Sequence, residues 1–282
     1  MTAAAKSKFG LNVSIDEMEQ IAREIRGEVV TMSNRGKAPH LGSALSCVDI
    51  LVAAYWGFMD IDPSRPLDPD RDRLILSKGH AAQALYAALA HRGFFNRSVL
   101  ETYNTDGAAL AEHPGPGCVP GIEAATGSLG HGPPIGTGMA IAARLQNKDF
   151  RVIVVSSDGE CNEGSTWEAA ALAGGHGLEN LCVIVDYNGW QATGRSAEIT
   201  AIDPLVDKWA SFGWAAEEVD GNNVAQLTAA LERLPAAGKP SAIIARTVKG
   251  RGVSFMEDDN NWHYRIPTEE EVEMAKKELG LN

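Results

Sequence analysis

RVIVVSSDGECNEGSTWEAAALAG, residues 151–174, passes from a continuous Val/Ile run into a helical stretch, and Asp158 and Gly159 stand at the change. A strand that is apolar at every position suits a sheet covered on both faces, where neither side of the pleat meets water. Two further runs of this kind follow, LCVIVDYNGW (181–190) and SAIIARTVKG (241–250), with helical stretches between them. The alternation predicts an α/β fold built on a parallel sheet. In such a sheet ligands sit off the carboxyl ends of the strands, so Asp158 and Asn188 become the first candidates for a site.

Outward from this centre the texture changes. Ser14 and Glu17 form a capping box, and Met18, Ile21, Ile25 and Val29 then fall on one helical face. SALSCVDILVAAYWGFM (43–59) and GHAAQALYAALAHRG (79–93) have helical length, the second with Gly93 as its stop, so the first hundred residues read as mainly helical. Between the halves lies EHPGPGCVPGIEAATGSLGHGPPIGTGMAIAARL (112–145), an extended Gly/Pro-rich loop running into a helix; long ordered loops of this kind usually carry function. TEEEVEMAKKELG (268–280) reads as a solvated terminal helix. The chain divides as one domain over 1–282, with a helical region at 1–110, an α/β core at about 111–250 and a closing segment at 251–282.

Composition removes several function classes. A net charge of −12 opposes binding to nucleic acid, which needs an excess of Lys and Arg to displace counterions. No apolar run reaches the roughly 18 residues of a membrane span, and MTAAAKSKFGLNVSIDE (1–17) lacks the apolar centre of an export signal, so the expected location is cytoplasmic. Cys47, Cys118, Cys161 and Cys182 stand far apart and read as free, mostly buried thiols. Neither a dinucleotide fingerprint nor a phosphate-binding P-loop is present. Trp167, Trp209 and Trp214 are expected to pack, while Trp190 lies beside the strand-end candidates.

Adjacent strand ends would bring the Asp158 carboxylate, the Asn188 amide oxygen and the Trp190 carbonyl to one point. One carboxylate and two neutral oxygens are too few for a calcium cage, but they suit Mg²⁺ completed by water and phosphate oxygens. Each residue also fits a plainer role, Asp158 as a helix cap and Asn188 as a turn. Five of the seven histidines, His40, His80, His113, His131 and His263, lie in or beside Gly-, Pro- or Asn-rich segments, and any one of them alone is as compatible with a surface or core position.

Taken together, these segments carry a family resemblance. Ser157 to Asn188 resembles the thiamine diphosphate signature, with Ser157 in place of its first glycine and Gly189 after the asparagine. DGECNEGSTWEAA (158–170) is closer to transketolases than to 2-oxo acid dehydrogenases. KAPHLGSALSCVDIL (37–51), LSKGHAAQALYAAL (76–89), EHPGPGCVPGIEAATGSLGHG (112–132) and VKGRGVSFMEDDNNWHYRIP (248–267) resemble transketolase segments in the same order. The resemblance implies a PP-type domain, a parallel sheet with helices on both faces. It implies Mg²⁺ at Asp158, Asn188 and the Trp190 carbonyl, with diphosphate contacts from Gly159, Asn188, His80 and His263. Gly127 and Leu129 would meet the aminopyrimidine. His263, His40, His80 and His113 would serve as catalytic groups, imidazoles titrating near neutral pH and moving sugar hydroxyl protons. Glu163 and Glu168 would belong to a contact between subunits. His131 departs from the Gln of many transketolases.

The resemblance covers the diphosphate-binding half of a conventional transketolase. The half that supplies the glutamate activating the aminopyrimidine is expected on a partner subunit, in an α₂β₂ assembly acting on anionic sugars. The α chain of a 2-oxo acid decarboxylating complex and a homologue without activity are the other two readings. EGSTWEAA and NNWHYRIP count against the first of these, and the full histidine set counts against the second.

Overall fold

The computed structural model describes residues 13–281. Most of the stretch read for an export signal lies outside the described residues. Helix α1 (Ile15–Gly36) starts at the expected capping box: Ser14 Oγ accepts the Glu17 amide at 3.2 Å, and a Glu17 carboxylate oxygen accepts the Ser14 amide at 2.7 Å. The next apolar segment is broken into α2 (Leu41–Ser46), α3 (Val48–Val52) and a π-helical turn at Ala53–Phe58. Strand β1 (Arg73–Leu76) then leads through a short turn, Gly79–Ala81, into α4 (Ala82–Arg92), which stops at Gly93 with φ of +95°.

After the long loop come α5 (Gly132–Leu145), β2 (Val152–Ser157), α6 (Gly164–Gly175) and β3 (Leu181–Tyr187). The chain continues through α7 (Ser196–Ile199), α8 (Leu205–Ser211), β4 (Ala215–Asp220), α9 (Val224–Glu232), β5 (Ser241–Arg246) and α10 (Glu269–Glu278). The five strands pair in parallel in the order β1-β2-β3-β5-β4. The pleat divides the core as a two-faced sheet requires. Ile153, Val155, Ile184 and Ile243 face a layer made with α1, α3, α4 and α9, whereas Val152, Val154, Val183, Val185 and Ile244 face α5, α6 and α8.

Two strands were not legible in the sequence. β1 is four residues set among charges and lies inside the region read as mainly helical; β4 is AAEEVD, an edge strand whose residues are half-buried or exposed, so it shows no apolar run. The closing helix also differs from the solvated helix expected of its charges. Thr268 caps α10, while Val272 and Ala275 are buried and the helix lies against α1. Trp167, Trp209 and Trp214 pack together with Phe212 below the sheet, and Cys47, Cys161 and Cys182 are buried free thiols with Cys118 partly exposed. Among the described residues no helix is long and apolar enough to cross a membrane.

A candidate cofactor cleft at the strand ends

Asp158 follows the last residue of β2 and is fully buried. Its Oδ1 accepts the Gly159 amide at 3.0 Å, and its Oδ2 accepts the Gly189 amide at 3.0 Å and the Ser196 hydroxyl at 2.7 Å. Burial nevertheless outweighs these donors and pushes the carboxyl up to about 6. Asn188 follows β3 and is held from both sides: its Nδ2 donates to Ser46 Oγ at 3.3 Å, and its Oδ1 accepts the Trp190 amide at 3.0 Å. The Trp190 ring lies under the Arg195 guanidinium, 3.7 Å from its carbon, and Trp190 Nε1 donates to Asp258 at 2.8 Å. That clamp fixes the backbone whose carbonyl was expected to face a cation.

Above these strand ends opens a cleft of about 440 Å³ lined by Gly159, Asn188, Trp190, Gly127, Leu129 and the four rings of His40, His80, His113 and His263. Ring centroids lie 4.9 Å apart for His40–His263, 5.3 Å for His40–His80, 5.9 Å for His80–His263 and 6.1 Å for His40–His113. The folding reasons are local. His80 sits on the turn after β1, and Gly79 lets that turn touch the loop, since a Cβ there would lie 2.5 Å from the Thr126 carbonyl carbon. Gly127 takes φ of +142°, and its missing Cβ makes room for the His113 ring. The His40 amide donates to the His263 carbonyl at 2.8 Å, which ties α2 to the closing segment.

Three of these rings, His40, His80 and His263, are not the freely titrating imidazoles the sequence suggested. Burial, reinforced by Lys78, holds His80 well below its ordinary value, and burial with the charge of Lys249 pulls His263 down to about 3. Burial also lowers His40, against the opposing field of Glu112. His80, His263 and His40 therefore favour the neutral form, each ring with one donor and one acceptor nitrogen. His131 is exposed and lies outside the cleft lining, while exposed Glu163, the residue before α6, borders the cleft and Glu168 is exposed on α6 itself.

Residues 17–282 match the family profile described as the thiamine diphosphate binding domain of transketolase. The chain belongs to the transketolase family. It is 40% identical over 269 residues to one of the subunits of the apulose-4-phosphate transketolase from Actinobacillus succinogenes, covering 95% of this chain and 98% of that one. It is 42% identical over 253 residues to a 6-deoxy-6-sulfo-D-fructose transketolase subunit of Clostridium sp., covering 89% and 92%. Among solved structures, the transketolase of Campylobacter jejuni superposes with a TM-score of 0.89 at 28% identity. That alignment covers 96% of this chain and 44% of the other, so the chain spans less than half the length of that transketolase.

The transketolase-family cleft meets the physical demands of a diphosphate and its cation. Asp158 is a buried carboxylate lifted by desolvation, with no Lys or Arg hydrogen-bonded to it among the described residues; a bound cation would relieve that cost. Gly159 brings backbone close to the cleft, where an added Cβ would lie 3.4 Å from the Gln191 side chain and 3.9 Å from Ser157 Oγ. Imidazole N–H groups at His80 and His263 suit phosphate oxygens.

Several charged groups important to the cleft were not singled out by the sequence. Glu160 is fully buried: its Oε1 accepts Ser77 Oγ and the Gly130 amide (2.9 Å), and its Oε2 accepts the Ser157 amide (2.8 Å), which joins the ends of β1 and β2 to the loop. Lys78 and Asp186 form an ion pair with no exposed surface, and Ser46 Oγ donates to Asp186 at 2.7 Å. Lys249 is also wholly buried, and Glu112 Oε1 lies 3.0 Å from His40 Nδ1. The readable signal was position, since Lys78 and Glu112 each lie within two residues of a histidine already singled out.

Lys78→Met should strand the Asp186 carboxylate in a dry interior with only hydroxyl donors. Removing one partner of such a pair costs about 3–5 kcal/mol. Urea unfolding of this variant should lose stability in that range, and adding Asp186→Asn should restore part of it. A single variant as stable as wild type would mean that the pair contributes nothing net.

Proposed function

We propose that this chain is the diphosphate-binding subunit of a two-chain transketolase, which moves a two-carbon ketol unit from a ketose to an aldose with thiamine diphosphate and Mg²⁺. The observation that carries the reading is the convergence of Gly159, Asn188 and four imidazoles on one cleft at the strand ends, with the fully buried Asp158 carboxylate behind that lining accepting the Gly159 and Gly189 amides. Bound thiamine diphosphate supplies the nucleophilic carbon and the electron sink for C–C cleavage. The chain's own residues do the rest on this side of the site. Asp158, Asn188 and the Trp190 carbonyl hold Mg²⁺, Gly159 and His80 approach the diphosphate, and Gly127 and Leu129 meet the aminopyrimidine. His40, His113 and His263 orient sugar hydroxyls and manage their protons.

Support for a partner comes from relatives named as subunits and matched over 92–98% of their length. The partner proposed is a pyrimidine-domain subunit in a cytoplasmic α₂β₂ assembly, with this chain folded as one domain. The sugars proposed carry a phosphate or a similar anionic group, as the names of both relatives include a phosphate or a sulfonate.

The isolated chain should give no ketol transfer at saturating cofactor and Mg²⁺, and mixing with the cognate pyrimidine-domain subunit should restore it. Robust turnover from a preparation shown by mass to contain this polypeptide alone would refute the two-chain reading.

A further inference from the structure

Gly189 to Ser196 form a narrow loop off the end of β3. The Gln191 amide donates to the Gly194 carbonyl at 2.9 Å and the Ser196 amide to the Gly189 carbonyl at 3.0 Å, so the two arms lie side by side. Both feet of the loop donate to Asp158 Oδ2, through the Gly189 amide and the Ser196 hydroxyl, and Trp190 stands on the first arm. None of residues 189–195 is buried, so apolar packing does not set how the loop leans. What holds it comes from the closing segment. Asp258 Oδ1 accepts Trp190 Nε1 at 2.8 Å, and the two Asp258 oxygens take the fork of Arg195, each at 2.7 Å. The Arg195 guanidinium carbon stands 3.7 Å from the centre of the Trp190 ring, so indole, guanidinium and carboxylate close on one another. Asn260 adds a second tie, from Nδ2 to the Ala192 carbonyl at 3.2 Å. Asp258 does this from a φ of +58°, a conformation few side chains adopt, with its amide anchored on the Lys249 carbonyl at 2.8 Å. Arg195 first, and Trp190 after it, hold its carboxyl below the ordinary carboxylate value, so the clamp keeps its charge at neutral pH.

We propose that Asp258 is a positioning residue for the cation site: by gripping both arms of the loop through Trp190 and Arg195, it fixes the Trp190 carbonyl and the donors around Asp158, and ties them to the segment that brings His263 into the cleft. The inference rests on the reading of Asp158, Asn188 and the Trp190 carbonyl as Mg²⁺ ligands. It goes beyond that reading in placing a determinant of cation affinity on two side chains, Asp258 and Arg195, that do not line the cleft.

The test turns on a sign. If the clamp orients the loop, Asp258→Ala and Arg195→Ala each release it. Both should then weaken Mg²⁺ binding in the assembled complex with thiamine diphosphate by roughly 10–100-fold, the usual cost of losing a group that orients a metal ligand. The double variant should bind no more weakly than the singles, because both remove one clamp. If the two side chains acted only through their charges, losing the acid would weaken a dication and losing the base would strengthen it. Opposite signs, or affinities equal to wild type, therefore overturn the proposal. The loop is read separately, by amide hydrogen exchange in the full chain without cofactor. The Gln191 and Ser196 amides should exchange faster in both variants, and unchanged exchange would remove the clamp from its role. Arg195 and Asp258 are 39% and 56% exposed, so the variants should fold. A lower melting temperature with wild-type Mg²⁺ affinity would make the pair a stabilising contact only and count against the proposal. A wild-type complex with no Mg²⁺-dependent cofactor binding would sink the cation reading and the proposal together, whereas variants that bind as tightly as a binding wild type would remove the clamp and leave that reading standing.

Discussion

Replacing Asp158 with Ala is expected to abolish Mg²⁺-dependent binding of thiamine diphosphate while the chain stays folded. Asp158 is the one carboxylate among the three proposed cation ligands, so no neighbour can take over its charge. The loss should exceed the roughly 10²-fold that outer partners of a metal site contribute. The fold should survive because the buried carboxyl is itself costly in the free chain. Its value rises from 3.8 to about 6, so the folded state holds the proton more tightly than the unfolded state. Folded-state stability from this group therefore falls as pH climbs from about 4 through about 6, and the Ala variant should lack that fall. Proton and cation compete for the same oxygens, so Mg²⁺ affinity of the wild-type complex should weaken as pH drops below about 6. Calorimetry on the assembled complex decides, and unchanged cofactor affinity in a folded Asp158→Ala complex would sink the metal assignment.

His263→Ala should lower turnover roughly 10²–10⁴-fold with a smaller effect on cofactor affinity. The ring lines the cleft, faces His40 at 4.9 Å, and takes a hydrogen bond from Lys249 that nothing in an alanine can receive. Steady-state kinetics on the assembled enzyme, with cofactor affinity measured separately, distinguishes lost chemistry from lost binding. Wild-type turnover would remove His263 from the mechanism. His91 serves as the control, with one change from what its place at a helix end implies. Its side chain is 3% exposed and burial drives it down to about 4, so His91→Ala should cost stability and leave turnover per folded molecule unchanged.

Legibility in the sequence followed burial and periodicity. β2, β3 and β5 are apolar at nearly every position because both pleat faces are covered, and the strand-end candidates came with them. β4 hides because an edge strand with half-wet faces has no reason to be apolar. The histidines were visible as types in unusual segments, yet their protonation was not, because it depends first on burial and, for His263, on Lys249, which follows β5. A buried lysine reads in a sequence like any surface lysine. Only the fold places Lys78 opposite Asp186, 108 residues away, and that pairing has no local pattern.

The packing of α10 on α1 bears on how the chain is made. Leu281 reaches Gly27 so closely that a Cβ there would lie 2.4 Å from its methyl group. Ribosomes deliver α1 more than 200 residues ahead of α10, so the apolar face of α1 waits through that stretch of synthesis before this cover arrives. β1 waits as well, since its neighbour β2 lies some eighty residues downstream. Nascent chains of this protein should therefore lean on chaperones until α10 emerges, and deletions that clip α10 should surface first as poor yield and aggregation, before any defect at the distant cleft can be measured.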